Sequence, residues 1–184
     1  MKSGKFWALN RRAWNVALAS AVALGSAGPS VSAYAATGTG TANATVVTPI
    51  AIANSSPHLR FGSFSTSAAG QTVAIATDGT RTLSGALGVG TAQNAFGAAS
   101  FAVTGDSTLT YDITLPTNGT VNITTGIGDA TRTMAVSGFI SNPTGTGALT
   151  AGAQTLLVGA TITTVASQVA GIYTGSFSVT VQYN

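Results

Sequence analysis

The residues of this 184-residue chain that could do chemistry are one histidine, four aspartates and a scatter of serines. His58 lies in the turn-like stretch Ser55-Ser56-Pro57-His58. To act as a general base it needs a nucleophile on one side and an orienting acid on the other. No Gly-x-Ser-x-Gly elbow occurs, so a plain loop histidine is expected. Paired carboxylates for glycoside hydrolysis would have to come from Asp78, Asp106, Asp112 and Asp129. Asp78 and Asp106 have turn explanations, Asp129 follows Gly128 in a loop, and Asp112 falls on the polar face of a strand. No Asp-x-Asp-x-Asp spacing suits calcium. Gly85, Gly88 and Gly90 do not open a helix, so they imply no phosphate cradle and read as loop or bulge glycines. Asn43, Asn54, Asn118 and Asn122 head glycosylation-type triplets, which arise easily by chance in a chain this rich in Asn and Thr. The expectation is no catalytic residue, no cofactor and no metal.

The elements around these residues read as strands. Residues 173–183 alternate, with Tyr173, Gly175, Phe177, Val179, Val181 and Tyr183 on one face and Thr174, Ser176, Ser178, Thr180 and Gln182 on the other. That is a half-buried β-strand. Leu156, Val158, Ala160 and Ile162 repeat the pattern, and the two runs are expected to pair as a C-terminal antiparallel hairpin. Leu109, Tyr111, Ile113 and Leu115 form a third apolar face. Further strands are expected at 41–53, 59–64, 72–76, 81–87, 100–104, 108–115, 120–124 and 131–139. Hairpin turns are expected at Thr77-Asp78-Gly79-Thr80, Gly105-Asp106-Ser107 and Pro116-Thr117-Asn118-Gly119. Residues 142–147 read as a surface connection. No window has helical periodicity, so the chain reads as all-β. Sheets that are each oily on one side imply a β-sandwich, with a closed barrel satisfying the same pattern. An outer-membrane barrel fits poorly, because its aromatic girdles need more than the 7% aromatics present.

Four of the seven cations, Lys2, Lys5, Arg11 and Arg12, precede an apolar run from 13 to 24 and a small-residue exit at Ala33 or Ala35. These are the parts of a secretory signal, with a run too short to span a membrane. Residues 1–35 are therefore expected to be cleaved. Both tryptophans, Trp7 and Trp14, leave with them. What remains has Arg60, Arg81 and Arg132 against four aspartates, a net charge of −1. No basic patch survives for nucleic acid. The chain has no cysteine, so an exported domain would rest on its core alone. A surface without Lys or Glu fits a protein packed among copies of itself.

Residues 36–52 open with Gly and Thr and then place Ala42, Ala44, Val46, Ile50 and Ile52 on alternate positions. Such a strand could complete its own domain, 53–184, or enter a neighbour's groove, pairing in cis in the monomer and in trans on assembly.

Leu59-Arg60-Phe61-Gly62 followed by Ala69-Gly70-Gln71-Thr72-Val73, and the ending Gly171-Ile172-Tyr173-Thr174-Gly175 into Phe177-Ser178-Val179-Thr180-Val181-Gln182-Tyr183, resemble a bacterial secreted family classed as a domain of unknown function. Gln154-Thr155-Leu156-Leu157-Val158-Gly159 fits that family's penultimate strand. The same landmarks are similar to the archaic chaperone-usher pilins and spore-coat-U-like proteins. The resemblance implies an immunoglobulin-like antiparallel β-sandwich that is completed by the N-terminal strand of the next subunit. Donor residues would be Ala42, Ala44, Val46, Ile50 and Ile52, and acceptor residues Tyr173, Phe177, Val179, Val181 and Tyr183. The chain departs from many of those pilins in lacking cysteines and in having a short N-terminal extension. The implied function is a fimbrial subunit in adhesion or biofilm formation, exported to the periplasm and then to a surface fibre. Its partners would be identical or related subunits, a periplasmic chaperone and an outer-membrane usher, with no membrane span in the mature protein. The alternative is a monomeric secreted or surface-attached binding module without catalysis.

Overall fold

A computed structural model describes residues 34–65, 69–84, 95–126 and 129–184. The expected signal up to residue 33, the end of the expected strand 81–87, and Gly85, Gly88 and Gly90 lie outside the described residues. The chain divides into two units, 1–43 and 44–184. In the first, residues 34–43 are exposed and carry no regular secondary structure.

The second unit pairs all its described strands antiparallel, and its one helical element among the described residues is a 3-10 turn at Ala130–Arg132. Its strands are β1 (Ala51–Ser55), β2 (Arg60–Phe61), β3 (Thr72–Ile75), β4 (Arg81–Leu83), β5 (Phe96–Gly97) and β6 (Ala99–Thr104). Then come β7 (Thr110–Thr114), β8 (Val121–Thr124), β9 (Thr133–Asn142), β10 (Thr146–Ala148), β11 (Ala153–Thr163) and β12 (Thr180–Tyr183). A seven-stranded sheet contains β1, β3, β4, β6, β8, β9 and β11, a three-stranded sheet runs β10-β7-β12, and β2 pairs with β5.

The hub is β11. Its alternate residues Leu156, Val158, Ala160 and Ile162 are all within 1% of complete burial. It lies between β9 on one edge and, in succession, β6 and β3 on the other, with Ala153↔Thr104 opening one register and Ala160↔Ile75 the next. The handover falls at Gly159, where the pairing with β9 shifts. A side chain there would run into the carbonyl of Ile75, so the neighbouring strand comes closer than any Cβ permits.

Two apolar clusters form the core. Val73, Val121, Met134, Val136, Ala160 and Ile162 make the first, all from the large sheet. In the second, Phe101, Val103, Leu156 and Val158 of the large sheet meet Tyr111 of the small one. Tyr111 is fully buried, its ring lies over Gly147, and its hydroxyl donates to Gln154 Oε1 at 2.6 Å. The one polar atom of that ring is thus satisfied.

Three expectations need correction. The C-terminal runs do not pair with each other, because both edges of β11 are already taken and β12 joins β7 instead, Val181 opposite Ile113. The segments at 105–107 and 116–119 are not hairpin turns but crossings, since β6 and β8 belong to the large sheet and β7 to the small one. The strand expected at 41–53 is confined to β1, paired with β6 from Ala51↔Thr104 to Ser55↔Ser100. By contrast, Asp78-Gly79 does join a hairpin, with Gly79 at φ +84° and β3 paired to β4.

Candidate functional site

The motif Gly171-Ile172-Tyr173-Thr174-Gly175 has a local physical cause. A Cβ on Gly175 would overlap the carbonyl of Asn122, and one on Gly171 would press on Thr125 at 3.0 Å. Two glycines therefore let this limb lie directly on β8, where Thr174 and Thr124 exchange both backbone bonds, at 2.9 and 3.0 Å. Tyr173 between them is pinned by its hydroxyl, which donates to the Val169 carbonyl at 2.6 Å and accepts from Gln168 Nε2 at 3.0 Å. Gln168, buried, donates as well to the Thr131 carbonyl at 2.7 Å.

Because Thr174 directs its backbone groups to β8, its alternates Tyr173 and Gly175 direct theirs to the opposite edge. That edge borders a cavity of about 520 Å³. Its far wall is residues 59–64, including Leu59, Phe61 and Phe64, and its floor is Val121, Ile123, Met134, Val136 and Ile162. Phe177 closes one side, edge-on to Phe101 with centroids 6.1 Å apart and tilted on Phe139 at 5.2 Å. Arg60 is the one charged side chain among the described lining residues. Among the described residues the limb pairs only through Thr174, and an apolar trough beside such an edge has the general shape that suits an extended segment, with hydrogen bonds at the edge and alternate side chains in the trough.

The expected acceptor residues divide between two places. Tyr173 and Phe177 line the trough. Val179, Val181 and Tyr183 pack instead on the second core cluster, together with Ile50 and Ile52 of the same chain. Tyr183 fixes this arrangement, its hydroxyl donating to the Thr48 carbonyl at 2.8 Å and accepting the Asp106 N–H at 2.6 Å. The expected donor residues divide too. Ile50 and Ile52 are half-buried in cis, whereas Ala42, Ala44 and Val46 are exposed, Val46 to 95%. Sequence reasoning missed the wall, although Leu59 and Phe61 stood in the quoted motif and their spacing of two was its signal.

His58 is exposed, and among the described residues no three His, Cys, Asp or Glu side chains gather as a metal set would require. The aspartates serve local structure. Asp78 accepts the Thr80 N–H at 2.8 Å, and this bond holds its carboxyl below the usual value of 3.8. Asp106 is lowered by the Thr108 hydroxyl at 2.6 Å and its N–H at 2.9 Å, and Asp129 by the Thr131 hydroxyl and then by Arg132. Asp112 accepts from Thr146 Oγ1 and Asn184 Nδ2, both at 3.2 Å. Burial pushes the Tyr111 phenol up from 10.0.

The signs follow by linkage. Depressed carboxyls contribute stability above pH 3.8 that is lost as the pH falls below it, and the raised phenol contributes stability below pH 10.0 that is lost above it. The melting temperature should be level from about pH 5 to about pH 9 and fall beyond both limits. A scan with an optimum sharply centred between those limits would contradict this assignment.

Geometry thus defines a class, an all-β domain with an apolar trough beside an extended limb that, among the described residues, pairs with β8 through Thr174. The chain matches the family described as a domain of unknown function (DUF4402) over residues 50–183, and it belongs to that family. No curated protein and no solved structure matches it significantly.

Proposed function

We propose that this protein is a structural, non-enzymatic subunit of a bacterial surface fibre, an immunoglobulin-like sandwich that captures an extended segment from another copy of itself. The observation that supports this reading is the apolar trough beside Tyr173–Phe177, where the described residues show pairing only through Thr174, together with an exposed segment in the same chain whose pattern suits it. Residues 36–47 place Ala36, Gly38, Gly40, Ala42, Ala44 and Val46 on one side of an extended chain and Thr37, Thr39, Thr41, Asn43, Thr45 and Val47 on the other. Small apolar side chains suit a trough that Phe61, Phe64, Tyr173 and Phe177 already narrow, while the threonines face water. Twelve extended residues reach about 40 Å, enough to run the length of such an edge. Ile50 and Ile52, seated in their own domain, then anchor the donor at its base. Export to the periplasm, with a chaperone covering the trough and an usher ordering the exchange, is part of this proposal. So is a role in adhesion or biofilm formation.

A chain without cysteine permits a direct test. Ile172 is 84% exposed at the rim of the trough. Single cysteines at Gly38, Ala42 or Val46, each combined with Ile172→Cys, should give disulfide-linked multimers under mild oxidation from at least one pair. The same donors combined with Ile140→Cys, which is exposed on β9 away from the trough, should not. Equal linkage to both positions would contradict strand capture at the trough.

A further inference from the structure

Among the described residues, the wall formed by residues 59–64 shows a short ladder. Strand β2 pairs with β5 over two positions only, Arg60↔Gly97 and Phe61↔Phe96. Gly62, at φ +72°, then turns the chain out of extended geometry. A side chain from another part of the fold hydrogen-bonds to this wall. Arg81, on β4, donates through Nη1 to the carbonyls of Phe61 and Ser63, each at 3.1 Å, and its guanidinium lies 4.4 Å from the centre of the Phe96 ring. A planar cation can stack on an aromatic face while its N–H groups bond in their own plane, which a lysine ammonium does less well. Among the described residues the ion pair belongs to Arg132 and Asp129, and Arg81 meets two carbonyls and a ring, all on β2, its continuation and β5.

We propose that Arg81 is the positioning residue of the trough, a clamp that ties its wall at Phe61–Ser63 to β4 and β5 and so keeps the space in front of Tyr173 and Phe177 open to an incoming strand. This rests on the strand-capture reading for its purpose, but the clamp can be measured without it. Hydrogen bonds from a charged donor to two carbonyls, with ring stacking added, should hold the wall against local opening more than the neutral Arg81→Gln side chain can.

The full mature chain is compared as wild type, Arg81→Gln and Arg81→Lys, by peptide-resolved hydrogen exchange and by binding of a labelled peptide of residues 36–47. In Arg81→Gln, exchange over 59–65 should quicken about tenfold, while β7 and β11 keep their protection and the melting temperature moves little. Arg81→Lys should restore part of the protection, since an ammonium can still reach a carbonyl. Peptide affinity should weaken about tenfold in Arg81→Gln. Unchanged exchange over 59–65 would overturn the clamp, and so would a rise spread evenly over every strand, which marks a general stability residue. A wild-type chain that ignores the peptide, while Arg81→Gln still loosens the wall, would remove strand capture and leave the clamp standing.

Discussion

Truncating Phe177 to alanine is expected to lower the stability of the folded chain by about 3 kcal/mol, near the lower end for loss of a large aromatic side chain. The lower end applies because Phe177 is half-buried, one flank being the side of the trough. Its other flank bears more than its area suggests. Phe177 packs against both core clusters, and its ring contacts with Phe101 and Phe139 bring β6 and β9 together with the C-terminal limb. The cavity left behind would be continuous with the trough, so water can enter and part of the penalty for an empty void is relieved. For a domain of this size the melting temperature should fall by about 10 °C. Capture of the peptide 36–47 should weaken as well, because an anchor of the trough is gone. A melt displaced by under about 2 °C would mean that the ring does not join the two clusters.

Alternation of apolar and polar residues made much of the fold legible. It gave the inward face of β11 through Leu156, Val158 and Ile162, and that of the C-terminal limb through Tyr173, Phe177, Val179 and Val181. A period of two tells which side of a strand is covered but nothing about its neighbours. Hence the partners of β11 and β12 were misread, as were the crossings. Gly105-Asp106 looks like the hairpin turn at Asp78-Gly79, but the Asp106 N–H goes to the hydroxyl of Tyr183, 77 residues away, a partner no local pattern reveals. Residues 41–46 alternate too. Their apolar members up to Ala44 are small, and burying a methyl group contributes too little to hold a strand on its own domain. At the site, Tyr173 and Phe177 were legible as an apolar face. The trough was not, since it arises from two walls more than a hundred residues apart in the chain. Arg81 carried no signal at all, because carbonyls and a ring face recognise a cation without any motif.

The central claim is that residues 36–47 of one copy fill the trough of another. The most direct measurement compares fibre yield, by electron microscopy and light scattering, for purified chains beginning at residue 36 and at residue 48, with Val46→Asp in the longer chain as a third sample. Residues 36–47 are exposed, and Ile50, Ile52 and the Tyr183–Thr48 bond lie beyond the cut. The truncated monomer should therefore melt within about 2 °C of the longer one, as surface changes do. Val46→Asp should leave the monomer equally stable, while burying a carboxylate without a partner in an apolar trough should oppose assembly strongly. Both altered chains are predicted to fold and to form no fibres, and the shortened one should still bind the peptide 36–47. Normal fibre yield from the chain beginning at residue 48 would contradict the account.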